Sequence, residues 1–357
     1  MTDNKEFRLS RALSYTLRSM PRGKKYAGSI KNFCEMPFFN VNIDHNSDCF
    51  LCHCEGWLPI PVGKVADFHS LDSIFSSPMA KLLQDDITAK KFTWCAVEHC
   101  GVTQKNIKKS EYHLAISIDN SCNLACPSCR REPIMLEHGS EFDKKISDLN
   151  RVVEWLENFD QPITITLGGT GDALASEILR NFIRKYKYKP NQKFIIKTNG
   201  LLIKKIIPDS AIRSAISLLS ISVDAATADV YEVVRRPGKW KHLMENLHWV
   251  HQNCKDTDVV LNFVVQATNF RDLPAFVELC QNFGFSASIS PLNDWGTWNS
   301  KPVGNPDAWT LANGTYLDHD VCNHTHHQHQ DFLKILQIAR QNQSDLINFT
   351  SYFDRYQ

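Results

Sequence analysis

Three cysteines stand close together in this chain, at Cys122, Cys126 and Cys129. They follow a run of apolar residues that we predict to be a strand, at residues 114–118. A structural zinc site is normally closed by four protein ligands, whereas three closely spaced thiolates suit a cubane 4Fe–4S cluster with one iron left free of protein. Such an iron can be chelated by a substrate or cofactor. The spacing predicts an iron–sulfur site; a zinc knuckle with a distant fourth ligand and an incidental grouping are the alternatives.

The composition favours metal or redox chemistry over disulfide bonding. The chain has 357 residues, of which twelve are cysteines, and a formal net charge of +1. It shows no secretory signal and no apolar run of transmembrane length, so we expect a cytoplasmic protein in which thiols stay reduced. The nearly balanced charge gives no case for nucleic acid or a membrane surface as a partner.

Strands and helices alternate from about residue 111 onward. We predict strands at residues 114–118, 163–167, 194–196, 218–223, 259–265 and 287–290. Six such units, with helices between them, favour an α/β fold with a partial (β/α)6 TIM-like barrel over a closed eight-stranded one. The active site of such a barrel lies at the carboxyl ends of its strands, so the three cysteines occupy the catalytic position.

The pattern divides the chain into four parts. They are a basic amino-terminal arm (1–30), an irregular cysteine-rich domain (31–108), the partial barrel (109–300) and a carboxyl-terminal extension with a final helix (301–357). The cysteine-rich domain carries one predicted helix, from about Ser70 to Leu83, and little other periodic apolar sequence. A metal centre held by its cysteines would supply the missing constraint.

The cysteine run resembles the signature of the radical S-adenosylmethionine superfamily, Cys-x3-Cys-x2-Cys after the first barrel strand. The resemblance covers roughly residues 110–295. Where the family usually has an aromatic residue that packs near the adenine, this chain has Ser128, so the adenine contact is not assigned. The resemblance implies a 4Fe–4S cluster that passes one electron to the sulfonium of S-adenosylmethionine. Homolysis then gives methionine and a 5′-deoxyadenosyl radical, which removes a hydrogen atom from a substrate.

Further segments at the strand ends resemble the cofactor pocket of that superfamily. The resemblance implies that S-adenosylmethionine contacts Gly168, Gly169, Thr170, Gly171, Asp172, Thr198, Asn199, Ser222, Asp224, Arg235 and Arg236. Gln266, after the fifth strand, is a candidate polar contact to cofactor or substrate by its position alone. The glycine stretch would bind the methionine amino group, with Asp172 in place of the family's acidic residue. Polar residues after the fourth strand would contact the ribose. One arginine of the Arg235–Arg236 pair would hold the methionine carboxylate, to which a guanidinium is geometrically suited.

The amino-terminal cysteines resemble the SPASM and twitch domains of radical enzymes, which bind auxiliary iron–sulfur clusters but usually follow the barrel. The candidate ligands of a second 4Fe–4S cluster are Cys34, Cys52, Cys95 and Cys100, with Cys54 as a substitute. Cys49 alternates with Leu51 in a strand pattern, so we expect it to be structural. Zinc fits the same spacing equally well, and the metal stays open. Cys280 falls in a helical pattern and is expected to be a buried, inert thiol.

Two classes of function follow from these observations. The auxiliary-cluster resemblance implies modification of a peptide or protein, as in the maturation of ribosomally made peptides (RiPPs) by crosslinking, epimerisation or backbone excision. A separate chain could then recognise the leader peptide, and a flavodoxin or ferredoxin would donate electrons. The same resemblance accommodates radical dehydrogenation of a small sugar or alcohol. The alternative class is a non-catalytic iron–sulfur or zinc protein that carries electrons or acts as a scaffold.

Overall fold

A single ten-stranded sheet organises the part of the chain that the structure describes. The computed structural model describes residues 33–52, 60–95, 111–293, 316–341, 344–350 and 353. The strands are β1 (Asn40–Ile43), β2 (Asp48–Phe50), β3 (Gly63–Lys64), β4 (Tyr112–Ile116), β5 (Ile163–Leu167), β6 (Gln192–Thr198), β7 (Ile216–Ser222), β8 (Asp258–Val265), β9 (Ser286–Pro291) and β10 (Ile347–Phe349). The α-helices are α1 (Met36–Phe39), α2 (Leu71–Phe75), α3 (Pro78–Thr88), α4 (Ser140–Glu157), α5 (Glu177–Lys185), α6 (Ile203–Ile206), α7 (Ala228–Val234), α8 (Trp240–Asn253), α9 (Leu273–Phe283), α10 (Tyr316–His319) and α11 (His329–Gln341).

The six strands β4 to β9 confirm the predicted barrel pattern. They lie side by side in chain order and all run parallel. The sheet is open among the described residues, with β10 at one edge and β3 at the other. Because parallel strands joined by helices place all their carboxyl ends at the same edge, the loops that follow β4 to β8 converge there.

Three short strands and three helices give residues 36–88 more regular structure than the sequence predicts. β1 runs parallel to β4, with Asn40 opposite His113 and Ile43 opposite Ile116. β2 and β3 continue this edge in antiparallel fashion. At the far edge β10 pairs in parallel with β9. Strands this short carry too few alternating residues to be recognised from sequence alone.

The predicted helix at residues 70–83 is two helices, α2 and α3. The break falls at Ser77, whose hydroxyl accepts a hydrogen bond from the backbone N–H of Ala80 at 3.3 Å. Pro78 follows as the first residue of α3, where its missing N–H costs no hydrogen bond. An N-cap residue followed by proline starts a new helix, which the apolar periodicity alone does not reveal.

Apolar side chains on both sides of the sheet form the main core. Cys280 on α9 is fully buried, as predicted, and burial raises the pKa of its thiol to about 12. Cys49 lies in β2 and is fully buried in the same core, which agrees with its predicted structural role. No helix in the described part of the chain has the length and apolarity needed to cross a membrane.

Candidate active site

The loop after β4 is tied down on both sides of its first cysteine. The backbone N–H of Cys122 donates to the carbonyl of Ile134 at 2.7 Å, and Ile134 returns a hydrogen bond at 3.1 Å. The Asp119 carboxylate accepts the backbone N–H of Ser121 at 2.8 Å. Further along, the N–H of Cys129 donates to the carbonyl of Cys126 at 2.9 Å, which closes a tight turn. The backbone therefore fixes the loop that carries the three thiols.

Two of the thiols receive hydrogen bonds from other strand ends. The Cys122 sulfur accepts the backbone N–H of Leu124 at 3.5 Å and the side-chain amide of Asn199, which follows β6, at 3.9 Å. The Cys126 sulfur accepts Nη1 of Arg235, beyond β7, at 3.8 Å. N–H groups aimed at sulfur favour its thiolate form, which is the form that binds metal.

Arg130 donates a hydrogen bond to the third thiol, a role that is not predicted from the sequence. Its Nε donates to the Cys129 sulfur at 3.5 Å, and its two Nη atoms donate to the carbonyls of Asn120 and Thr170, each at 2.7 Å. It is only 2% exposed. One guanidinium thus joins the cysteine loop to the glycine stretch after β5. A cation next to the third cysteine was the available signal in the sequence.

The donor set around these thiols fits an iron–sulfur cluster. Burial raises the pKa of Cys122 to about 12, and the nearby Asp172 adds to this shift, whereas Arg130 opposes it. Within the described ranges, no three His, Cys, Asp or Glu side chains converge on a point where one metal ion would bind. A 4Fe–4S cluster takes one thiolate on each of several irons, so its ligands are spread more widely than those of a single ion.

The glycine stretch after β5 forms a cradle with no room for side chains. A Cβ atom on Gly169 would lie 2.4 Å from the Ser117 hydroxyl oxygen, and one on Gly171 would lie 2.5 Å from the Ser121 carbonyl oxygen. Gly168 has φ +89°, a conformation that L-residues rarely adopt. The loops after β4 and β5 therefore approach each other closely only because residues 169 and 171 have no side chain. Gly169 itself is exposed to solvent.

Asp172 joins the ends of β5 and β6 from a buried position. Its carboxylate accepts the backbone N–H groups of Leu174 and Ala175 at 2.9 and 3.0 Å, the Thr198 hydroxyl at 3.0 Å and the Asn199 N–H at 2.5 Å. Burial raises the pKa of Asp172, and these hydrogen bonds act in the opposite direction. The carboxylate is occupied by donors of the protein, so it positions Thr198 and Asn199 rather than being open towards a ligand.

Asp224 and Arg235 bind each other. Oδ2 of Asp224 lies 2.5 Å from Nη2 of Arg235, and the two side chains are 4% and 15% exposed. From the sequence, Asp224 is predicted to contact the ribose and Arg235 the methionine carboxylate, with no contact between the two. Ser222, at the end of β7, is half-buried. Arg236 is half-buried too, and its Nε donates to the carbonyl of Ala125 at 2.8 Å.

Gln266, after β8, carries a buried side-chain amide. The residue is 3% exposed, and its Nε2 has no hydrogen-bond partner among the described residues. A buried amide without a partner costs free energy unless a bound molecule satisfies it. Together with the glycine cradle, this orphaned donor fits a polar cofactor such as S-adenosylmethionine.

A cleft of about 550 Å³ opens beside the cysteine loop. Its lining includes Asn123, Leu124, Lys204, Lys205, Lys239 and His242. The two adjacent lysines of α6 are exposed, whereas Lys239 is paired with Glu232 at 2.6 Å. Glu245 also lines the cleft, so its rim is basic only through the excess of Lys204 and Lys205. The cleft reaches the residues between the first two cysteines.

The amino-terminal cysteines lie at the opposite side of the sheet, where the amino ends of the parallel strands meet (the amino edge). Cys34 precedes α1, which leads into the amino end of β1, and Cys52 follows the antiparallel β2 towards that same edge. Cys34 packs in a small apolar cluster with Phe92, and Cys95 packs against that cluster. Cys52 belongs to the main core. Two further candidate ligands, Cys54 and Cys100, lie outside the described residues.

Comparison with known proteins agrees with this geometry. Residues 116–280 match the model of the Radical SAM superfamily. A probable GTP 3′,8-cyclase of Methanocaldococcus jannaschii is 23% identical over 173 residues, which cover 48% of this chain and 55% of that protein. An AdoMet-dependent heme synthase of Oleidesulfovibrio alaskensis is 25% identical over 175 residues, covering 49% of this chain and 43% of the relative. The chain thus spans about half the length of the curated relatives it matches.

Solved structures give more distant similarities. Streptococcus suis SuiB bound to S-adenosylmethionine is 16% identical with a TM-score of 0.42, over 78% of this chain and 58% of that one. A radical SAM methyltransferase from Sphaerobacter thermophilus is 12% identical with a TM-score of 0.39, over 70% and 69% of the two chains. The match to the Radical SAM superfamily model is thus confined to residues 116–280, a range that contains the strands β5 to β8 and the loop with the three cysteines.

Proposed function

We propose that this protein is an enzyme that reductively cleaves S-adenosylmethionine and uses the resulting 5′-deoxyadenosyl radical to abstract a hydrogen atom. The observation that carries the proposal is the loop after β4. It brings three thiols, each with an N–H donor, to the carboxyl edge of six consecutive parallel strands. A scaffold or electron carrier has no use for the glycine cradle beside this loop, and an S-adenosylmethionine enzyme does.

The residues of the chain divide between the two cofactors. Cys122, Cys126 and Cys129 would hold the 4Fe–4S cluster, which supplies one-electron reduction when bound. The backbone of the glycine cradle and the unpartnered amide of Gln266 would orient S-adenosylmethionine. The buried Asp172 keeps two strand ends in register for this task.

Peptide or protein modification is the substrate class that we propose first. It is supported by the amino-terminal cysteines that resemble auxiliary-cluster domains of RiPP-maturing enzymes. Cys34 and Cys95 share one small cluster of side chains, as ligands of a common second 4Fe–4S site or zinc site would. A partner chain that binds the leader peptide belongs to the same proposal.

A small-molecule substrate is the second candidate. The curated relatives carry the names of a GTP 3′,8-cyclase and a heme synthase, neither of which names a peptide. Transfer of deuterium from a labelled substrate into 5′-deoxyadenosine separates the two candidates. The peptide to use is a short precursor encoded beside the gene; label that transfers only from small sugars or alcohols would overturn the peptide proposal.

An acidic electron donor such as a flavodoxin or ferredoxin is the partner that we propose for the basic cleft. Its rim carries the exposed Lys204 and Lys205 next to the loop that holds the thiols. Complementary charge accelerates the association of redox proteins and loses this effect in high salt. We expect K204E/K205E to slow cluster reduction by flavodoxin about fivefold at low salt. Reduction by dithionite, a small reductant, serves as the control and should change less than the flavodoxin rate.

The proposal as a whole is tested by anaerobic assembly of the cluster followed by reduction in the presence of S-adenosylmethionine. We expect methionine and 5′-deoxyadenosine in equal amounts, measured by mass spectrometry. A protein that holds its full cluster, is reduced and still leaves S-adenosylmethionine intact would not be this enzyme.

A further inference from the structure

The Asp224–Arg235 ion pair does not face open space, but reaches one cysteine of the loop. While Nη2 of Arg235 binds the Asp224 carboxylate at 2.5 Å, its Nη1 points at the Cys126 sulfur, 3.8 Å away. Cys126 is itself only 7% exposed. A carboxylate, a guanidinium and a thiol therefore form one buried line of alternating charge.

Each member of this line is fixed by the backbone around it. Asp224 has φ +60°, and its second carboxylate oxygen accepts the N–H of Val264 from the next strand at 2.7 Å. The segment of Arg235 is clasped to the cysteine loop, because Ala125 and Arg236 exchange two hydrogen bonds of 2.7 and 2.8 Å. Both Nη atoms of the guanidinium are thus engaged within the protein, whereas its Nε has no hydrogen-bond partner among the described residues.

The charges act on the thiol in opposite directions. Nη1 of Arg235 lies 3.8 Å from the Cys126 sulfur and stabilises negative charge there, whereas the Asp224 carboxylate on the other side of the guanidinium has the opposite effect. A guanidinium in a protein does not lose its proton. The guanidinium is therefore a permanent cation at the sulfur, and the carboxylate partly offsets its field.

We propose that Asp224 and Arg235 are positioning residues that act on the Cys126 thiolate and set the reduction potential of the cluster it binds, rather than contacting S-adenosylmethionine. This inference rests on the proposed function, since it needs a cluster at the three thiols. A cation near the cluster stabilises its more negative, reduced form, and a carboxylate destabilises that form. The two residues should therefore shift the potential with opposite signs.

The test is a redox titration of the cluster-loaded full chain without S-adenosylmethionine, followed by electron paramagnetic resonance. We expect R235Q to make reduction about tenfold less favourable, a fall of about 59 mV for one electron. We expect D224N to make it about fivefold more favourable. Asparagine tolerates the backbone conformation of residue 224 and can still accept the Val264 N–H. R184Q is the matched control, because Arg184 is exposed in the last turn of α5 and has no contact with the cysteine loop among the hydrogen bonds described, and its effect should stay below about twofold.

Shifts of the same sign, or shifts no larger than that of R184Q, would overturn the inference, since a merely structural ion pair predicts no opposite signs. If R235Q does not keep its cluster, R235K keeps the cation and D224N decides the outcome by the direction of its shift. Binding of S-adenosylmethionine supplies a second measurement: its affinity should fall less than threefold in R235K if the arginine does not hold the methionine carboxylate. A wild-type protein that assembles no cluster would contradict both this inference and the proposed function. Normal cleavage of S-adenosylmethionine together with unchanged cluster potentials in R235Q and D224N would contradict this inference alone.

Discussion

The two cysteine-rich regions of this protein place their sulfur atoms in different surroundings. At the carboxyl edge of the sheet, the thiols of Cys126 and Cys129 each receive an N–H from a buried guanidinium. At the amino edge, Cys34 packs with apolar residues such as Phe92, and Cys52 belongs to the main hydrophobic core. The first region is prepared for negative charge by the fold itself, and its loop is tied down by backbone hydrogen bonds.

This difference determines how strongly the structure of each region would depend on a bound metal. Burial disfavours the thiolates of Cys122 and Cys126, but the cations and amides that face these sulfur atoms offset part of that cost before any metal binds. Thiols in an apolar setting become thiolates only when the metal itself supplies the positive charge. We therefore expect the carboxyl-edge loop to keep its shape without metal more fully than the amino-edge segment does.

Loss of one thiol at the carboxyl edge should have the largest effect. In C126A the cluster loses one of its three ligands, and we expect production of 5′-deoxyadenosine to fall by more than about 100-fold. Iron content and product are measured in the same reconstituted sample. C280A makes the identical change at a fully buried thiol of α9 and should keep both. Equal activity of the two variants would mean that Cys126 is no ligand.

Removal of the Arg130 guanidinium tests whether the fold prepares the loop without metal. R130Q leaves the carbonyls of Asn120 and Thr170 without their donor, and we expect the metal-free protein to lose about 2–3 kcal/mol of unfolding free energy. Urea denaturation measures this loss. The neighbouring Arg131 is exposed, so R131Q should cost less than about 0.5 kcal/mol. Equal losses in the two variants would remove the contrast between the regions.

A methyl group in the glycine cradle should weaken S-adenosylmethionine binding. The new Cβ of G169A would lie 2.4 Å from the Ser117 hydroxyl oxygen, so the cradle must shift, and we expect affinity about tenfold lower by calorimetry. Gly169 has φ +159°, which strains any other residue, so deleting the hydroxyl in S117A/G169A should recover only the part of the affinity that the clash costs. In G171A the clash is with the Ser121 carbonyl oxygen, for which no side-chain deletion compensates. Unchanged affinity in both G169A and G171A would argue against a steric cradle.

Changes at the amino edge should affect the first site least. C34A/C95A should lower the iron content from about eight atoms per chain to about four while leaving 5′-deoxyadenosine production without substrate within about twofold. Metal analysis and the cleavage assay give the two numbers. Four irons and one zinc in the wild type would identify the amino-edge metal as zinc. A large loss of cleavage in C34A/C95A would show that the two regions are not independent.

The regular alternation of strands and helices could be predicted from the sequence. Six strands with helices between them, and the cysteine loop after the first of them, follow from local pattern. Asn199 and Gln266 come from the same logic of strand ends, and the structure places the Asn199 amide at a thiol of the loop and leaves the Gln266 amide buried without a partner.

What the sequence did not predict depends on contacts between distant residues. Nothing local indicates that Asp224 and Arg235 pair with each other, because their meeting requires the turn after β7 to bring α7 back to the sheet. The same is true of Arg130, whose partners come from two separate loops. The strand β1 is four residues long and is recognisable only beside β4.

The parallel pairing of β1 with β4 has a spectroscopic consequence. Because β1 starts level with the amino end of β4, metals at Cys34 and at Cys122 would be separated by at least the height of a five-residue strand, about 17 Å. Two reduced clusters so far apart would behave as weakly interacting magnetic centres. Their signals should broaden each other only through space, and pulsed dipolar measurements on the doubly reduced protein would return the separation that the sheet imposes.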